Sequence, residues 1–203
     1  MLTSVVVLVL AFTSGFTIMA IELLGGRILA PYFGSSIYVW GSIITVFMVA
    51  LSTGYLAGGR LSLTRPSLTR YGVFFLIAAA ALLPTIAWGD AIMDAVFLRI
   101  EDPRYGSLIA STLLFFAPTA VLGMIAPYSV RLLVQHRDHS GQIAGSLYFI
   151  STLGSAFGTL ATSFYLVLWF EVNHILLAMV TSLLLGAAIA LTAGRKITVQ
   201  TTP

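Results

Sequence analysis

A carboxylate stands inside an apolar stretch near the start of the chain. Residues 21–36 read IELLGGRILAPYFGSS, so Glu22 is followed by two glycines, Arg27 and a proline. An acid at the centre of a membrane helix is unfavourable by about 2.5–3.5 kcal/mol on insertion scales. Glu22 therefore needs either a partner that compensates its charge or a task that uses it, such as binding a cation or carrying a proton.

Two interpretations of Glu22 stay open at the level of sequence. In the structural one, its carboxylate pairs with Arg27 or accepts N–H bonds from a re-entrant loop over residues 25–36. In the functional one, it faces a cavity and binds a cation, because aromatic rings and acids together attract positive charge. Ser14 shares its helical face and would extend a polar path inward. The substrate-binding candidates are Glu22, Tyr32, Trp40 and Tyr55.

The composition assigns the chain to the membrane proteins. Of its 203 residues 59% are hydrophobic and 8% are charged, and the mean hydropathy is +1.02. Soluble domains carry about 25% charged residues, so this chain cannot cover a globule with a hydrated surface. It also has no cysteine, which excludes disulfides and thiolate metal sites.

Six apolar stretches are long enough to cross a bilayer, which takes about 20 residues. Backbone groups in hydrocarbon must be paired within their own segment, and runs of this length favour helices. We therefore predict an all-α integral membrane protein with one transmembrane domain over residues 1–203. The predicted spans are about 3–24, 39–58, 71–88, 107–127, 143–169 and 174–193. The first of these boundaries puts Glu22 near the outer end of its span, where an acid is less unfavourable.

The connection after the third span is predicted to be more than a loop. Residues 90–101 read DAIMDAVFLRIE and place apolar side chains at helical spacing. Asp90 can cap the start of a helix, and Pro103 stands just past its end. The pattern indicates a short external amphipathic helix on the membrane surface.

Lys and Arg fall unevenly on the two sides of a six-span chain. One side holds Arg60, Arg65, Arg70, Arg131, Arg137, Arg195 and Lys196, and the other holds Arg27, Arg99 and Arg104. Short loops rich in Lys and Arg stay in the cytoplasm. We therefore expect a multi-pass protein of the cell (inner) membrane with both termini cytoplasmic.

Span five carries small and hydroxyl side chains on one face. Ser151, Ser155, Gly158 and Thr162 follow at steps of four, three and four residues, with Gly154 beside them. Small residues let membrane helices approach closely. Helix packing is the favoured role for this stripe, and a cavity wall is the alternative.

Several separate blocks of the chain resemble one family. The run MAIELLGGRILAPYFGSSIYVWGSIITVFMVALSTGYLAGGRL, residues 19–61, resembles the start of the membrane half of the fused major-facilitator/spermidine-synthase-like proteins. The blocks EDPRYGS, FFAPTAVLGMIAPYSVRLL and GQIAGSLYFISTLGSAFGTL resemble that family in the same order. The resemblance implies half of a major-facilitator bundle and a polyamine-related role.

In that family a soluble aminopropyltransferase-like domain of Rossmann-like fold follows the membrane region. This sequence has no glycine-rich strand–turn–helix that would bind a nucleotide, so we predict no catalytic residue and no cofactor in it. The resemblance then implies a membrane module that docks or serves a separately encoded synthase-like enzyme and moves a polyamine-type substrate. The partner would carry any aminopropyltransferase activity. The candidate docking residues are Arg65, Arg70 and Arg137.

Two other functions stay open. Because six spans make half a major-facilitator body, the chain is alternatively a small stand-alone transporter that works as a homodimer. It is alternatively a structural subunit of a membrane complex. The expected partners are thus lipid, a Rossmann-type protein and a second copy, with no nucleic acid. His136 and His139 have metal-site spacing, but no third ligand is evident, so no metal is predicted.

Overall fold

The computed structural model of the chain describes residues 2–64, 66–134 and 140–200. The helices are α1 Leu2–Phe33, α2 Ile37–Ser62, α3 Leu68–Phe97, α4 Pro103–Gly123, α5 Ile125–Leu133, α6 Ser140–Ala161, α7 Val167–Trp169 and α8 Val172–Gln200. A π-helical segment, Thr162–Leu166, joins α6 to α7. All described elements are helical, which confirms the predicted all-α class.

Six helical stretches of the described chain are long and apolar enough to cross a membrane, as the sequence predicts. They are Thr3–Phe33, Ile37–Ser62, Leu68–Phe97, Pro103–Leu133, Ser140–Trp169 and Val172–Arg195. Each is longer than its predicted span. The difference has a simple cause: an apolar run ends where hydrocarbon ends, whereas a helix continues until a residue interrupts its backbone hydrogen bonds.

The first helix shows the largest consequence of this difference. α1 continues through Pro31 to Phe33, so the prediction of a re-entrant loop over residues 25–36 is wrong. Gly34 ends the helix with φ +75°, the left-handed conformation that glycine adopts readily. Its N–H donates to the carbonyl oxygen of Ala30 at 2.9 Å.

The third helix absorbs the predicted external helix. α3 runs without interruption from Leu68 to Phe97, so residues 90–97 are its last turns and not a separate helix. Residues 85–97 contain no proline, so every backbone N–H in these turns is available for a helical hydrogen bond. Asp90 can cap the start of a helix, but it does not interrupt one that is already continuous. Met93 is fully buried, so the apolar face of this segment packs against the bundle.

Span five packs on span one through glycine. Gly154 lies at the backbone carbonyl of Phe12, and Gly158 lies at that of Phe16. A Cβ at either glycine would overlap the facing carbonyl oxygen. The residue numbers of these two contacts increase together in α1 and in α6. The two helices therefore run in the same direction, as spans one and five of a six-span chain must.

Spans three and six pack with the opposite sense. Gly72 of α3 lies near the carbonyl of Ala187, and Thr69 lies near Gly194. The residue number falls in α8 as it rises in α3, so α3 and α8 are antiparallel, as an odd and an even span must be.

α2 packs on α4 as α1 packs on α6: glycines of one helix lie against backbone carbonyls of the other, and the two helices run in the same direction.

The close contact of α1 with α6 can be tested with one methyl group. Gly154→Ala is expected to lower the midpoint of thermal unfolding in detergent, because overpacking is unfavourable by about 1–3 kcal/mol. Gly145→Ala in the same helix is the control, since a Cβ there meets nothing within 4 Å and alanine is the better helix former. Equal midpoints for the two variants would contradict the contact.

The path of α3 can be tested by labelling. Thr69 and Ala95 are exposed near opposite ends of this helix, about 39 Å apart at about 1.5 Å per residue. The chain has no cysteine, so Thr69→Cys and Ala95→Cys each introduce a single thiol. A membrane-impermeant maleimide should label them from opposite sides; labelling from one side would refute the six-span arrangement.

Candidate functional site

Glu22 lies deeper in its helix than the sequence predicts. Span one covers Thr3–Phe33, so Ile18 is its middle residue and Glu22 is four residues beyond. At about 1.5 Å per residue, this places Glu22 about 6 Å from the middle of the helix. The predicted position near the outer end is therefore wrong, because the predicted span stopped nine residues short of the end of α1.

Glu22 lines a cleft of about 430 Å³ between helices of the bundle. The walls of this cleft, hereafter the Glu22 cleft, come from α1, α2, α5 and α6. Its polar lining residues are Glu22, Tyr55, Tyr148, Ser151, Thr152 and Ser155, and no described Lys or Arg lines it. A smaller cavity of about 40 Å³ shares part of this wall and reaches Ser14. The polar face predicted for α1 is thus turned toward space between the helices.

A break in span four shapes one wall of the cleft. Pro127 has no N–H and cannot bond to the carbonyl of Gly123, which separates α4 from α5. The N–H of Met124, between the two helices, donates to the carbonyl oxygen of Val121 instead. Ala126 and Pro127 line the cleft directly after this break. The break between α4 and α5 therefore lies beside the Glu22 cleft.

The small-residue stripe of span five serves two purposes. Gly154 and Gly158 pack against the backbone of α1, whereas Ser151 and Ser155 line the Glu22 cleft. The Ser155 hydroxyl donates to the carbonyl oxygen of Gly15 at 3.3 Å. The same face thus holds the two helices together and supplies hydroxyl groups to the cleft.

The four candidate binding residues do not form one site. Glu22 and Tyr55 line the same cleft. Tyr32 lies toward the far end of α1, where its hydroxyl donates to Asp94 Oδ1 at 2.8 Å. Trp40 lies against Gly26 and lines a different cavity. Closeness along the sequence did not predict a shared binding site, because a helix turns successive residues to different sides.

Arg27 does not pair with Glu22. Its Nη1 donates to the carbonyl oxygen of Val167 at 3.0 Å, and its side chain is exposed. In the part of the chain that the structure describes, the one ion-pair contact joins Glu171 and His174 at 3.8 Å. Within these residues Glu22 has no cationic partner, so the structure gives no support to the structural interpretation of this carboxylate.

Two residues of the cleft were absent from the sequence prediction. Tyr148 and Thr152 line it together with Ser151 and Ser155. These four positions follow the i, i+3, i+4, i+7 spacing of one helical face. A search for all polar residues at this spacing would have found them, whereas a search for small residues alone did not.

The largest of the cavities described here is a different one. It has a volume of about 810 Å³ and lies between spans five and six, with Trp169, Phe170 and Ile175 in its wall. Its two ionisable side chains, Glu171 and His174, contact each other. An apolar space whose ionisable groups already contact each other suits lipid chains better than a polar ligand.

The candidate docking residues are only partly placed. Arg65 and Arg137 lie outside the described residues, as do His136 and His139. Arg70 is exposed, and its guanidinium donates to the carbonyl oxygen of Thr64 and to the Thr64 hydroxyl, the latter at 3.2 Å. Arg70, in the first turn of α3, therefore holds Thr64, just after α2, in place through hydrogen bonds.

No protein-family model, no curated protein and no solved structure matches this chain. The resemblance to the spermidine-synthase-like family and the half-major-facilitator architecture therefore stay predictions that rest on the quoted sequence blocks. In the part of the chain that it describes, the structure shows helices throughout and six of them able to span a membrane.

Proposed function

We propose that this chain binds a small organic cation of the polyamine type in the Glu22 cleft and moves or delivers it within the membrane. The observation that carries the proposal is a half-buried carboxylate in a polar cleft between the helices, with no cationic partner among the described residues. Removing an unpaired charge from water is strongly unfavourable. An ammonium group in the cleft would compensate the carboxylate and be compensated by it.

The other polar residues of the cleft suit an ammonium ligand. Tyr55 on α2 and Tyr148 on α6 offer aromatic rings, whose faces attract cations. The hydroxyls of Ser151 and Thr152 can accept hydrogen bonds from ammonium N–H groups. The volume of about 430 Å³ also lies in the usual range of small-molecule sites. One carboxylate matches one ammonium, so we expect a single amine end to be held here.

The depth of the cleft favours transport over simple surface binding. Glu22 lies about 6 Å from the middle of its span, and transporters hold their substrates near the bilayer midplane. Span five is the least covered span, since 17% of its most apolar window is buried against 39–50% in the others. This supports the proposal of a homodimer, in which a second copy covers α6. An inner membrane with both termini cytoplasmic remains part of the proposal.

The test is the affinity for spermidine in nanodiscs, measured by calorimetry. Glu22→Gln is expected to weaken binding at least about tenfold, which corresponds to about 1.4 kcal/mol, because the amide keeps the shape and removes the charge. Glu101→Gln makes the same change at an exposed acid between α3 and α4 and should bind normally. Equal affinities for Glu22→Gln and the unmodified protein would refute the proposed site. Spermidine flux into liposomes then separates transport from binding alone.

A second candidate function is docking of a separately encoded synthase-like enzyme. It is supported by the sequence resemblance and by one structural observation: exposed arginines gather at the end of the bundle that holds the termini. They are Arg60, Arg70, Arg131 and Arg195. A basic end of this kind attracts an acidic protein surface. A structural subunit of a larger complex would use the same surface.

Docking is tested by purification in mild detergent followed by mass spectrometry. We expect a Rossmann-type enzyme to copurify, and to be lost from the double variant Arg60→Gln/Arg131→Gln because its basic surface is weakened. Arg99→Gln/Arg104→Gln changes two exposed arginines at the opposite end and is the control. A stable protein without that enzyme, active in liposomes, would contradict docking. A larger complex that fails to assemble without this chain, with no flux, would indicate a structural subunit.

A further inference from the structure

A second polar cavity, of about 350 Å³, lies where α1, the start of α2 and the π-helical segment meet. It shares no lining residue with the Glu22 cleft. Its polar and aromatic lining residues are Arg27, Ser35, Trp40, Thr162 and Ser163, and no acid of the described residues lines it. The cavity therefore carries positive charge and hydroxyl groups without a compensating carboxylate.

Arg27 is held at this cavity by the end of span five. α7 ends at Trp169 and Phe170 is extended, so Val167 belongs to the last turn, where helix carbonyls lack partners along the helix. Arg27 Nη1 donates to the Val167 carbonyl oxygen at 3.0 Å. A guanidinium carries several N–H donors, and this bond uses one of them. The charge is thus positioned without being neutralised.

The π-helical segment contributes the opposite wall. Such turns occur frequently at functional sites, because they shift the direction of the side chains they carry. Thr162, its first residue, is fully buried, and its Oγ1 has no hydrogen-bond partner among the described residues. Thr162 also lines the cavity, next to the exposed Ser163. The Ser163 hydroxyl is therefore the group of this segment that a ligand in the cavity can reach.

Centring span one in a bilayer places this cavity near the boundary between hydrocarbon and headgroups. Arg27 is nine residues beyond Ile18, the middle of span one, which is about 13–14 Å at about 1.5 Å per residue. Half the thickness of the hydrocarbon layer is about 15 Å. Trp40, a residue type enriched at this boundary, lies against α1 because Gly26 leaves room: a Cβ there would come within 2.6 Å of the indole ring.

We infer that this cavity binds a phosphate-bearing anion, either a phospholipid headgroup or free phosphate, at the membrane face opposite the chain termini. Arg27 supplies the charge, and its planar array of donors matches phosphate oxygens. Ser35 and Ser163 supply hydroxyl donors on either side. The inference does not depend on what the Glu22 cleft binds.

A purely structural role for Arg27 predicts a different result. An arginine that only caps the end of span five stabilises the protein equally with and without phosphate. An arginine that also binds phosphate stabilises it more when phosphate is present. The decisive quantity is therefore the shift in unfolding midpoint caused by the anion, and not the midpoint itself.

The experiment uses the full chain, delipidated in a maltoside detergent and a phosphate-free buffer. Short-chain phosphatidylglycerol is titrated in one arm and inorganic phosphate in the other, each against chloride of equal ionic strength. We expect the midpoint of thermal unfolding to rise by several degrees in at least one arm. A rise with lipid alone assigns a headgroup, and a rise with phosphate alone assigns the free anion.

Variants connect the shift to the cavity. Arg27→Gln should lose the anion-dependent shift, whereas Arg99→Gln, an exposed arginine at the same end, should keep it. Ser163→Asp places a carboxylate in the cavity while the Arg27–Val167 bond stays available, and it should also abolish the shift; this variant decides the matter if Arg27→Gln does not fold. No shift in the unmodified protein, or an equal shift in Ser163→Asp, would overturn the inference.

Discussion

Hydrocarbon cannot hydrate a charge, so each ionic group that enters the bundle must be accommodated by the protein or by a ligand. α1 carries two ionic groups five residues apart, Glu22 in the cleft and the exposed Arg27 toward the far end of the helix. At about 100° per residue, five residues turn the helix by about 140° beyond a full circle. The two side chains therefore leave α1 on different sides. This rotation, more than any distance along the chain, explains why Glu22 faces the cleft while Arg27 reaches the end of span five.

The pairing of α1 with α6 fixes both locations at once. Because Gly154 lies on the Phe12 carbonyl, the two helices meet backbone to backbone and their register is set. That register brings the Ser155 hydroxyl to the edge of the Glu22 cleft. Just over three turns further on, it brings the Val167 carbonyl within reach of Arg27. The small-residue stripe of span five thus positions both the Glu22 cleft and the cavity at Arg27, although neither is lined by Gly154 or Gly158.

The sequence predicted what depends on local composition. Six apolar runs gave six spans, because hydropathy is a property of each segment by itself. The sequence prediction failed for features that depend on where a helix ends or on which side of the helix a residue lies. α1 extends to Phe33 and α3 to Phe97, which moved Glu22 inward and removed the external helix. Tyr148 was accessible to a wider periodicity search, whereas the π-helical segment has no sequence signature and only the structure shows it.

The two sites are mechanically connected through the same helix pair. Ser151 and Ser155 form one wall of the Glu22 cleft, and Val167, in the same span, anchors Arg27. Span five is covered by few other parts of the bundle, so its contact with α1 determines its place in the bundle. Gly154 and Gly158 lie against the backbone of α1, and the register that they set positions the cleft wall and the Val167 carbonyl together. A substitution that shifts this register is therefore expected to change both locations at once.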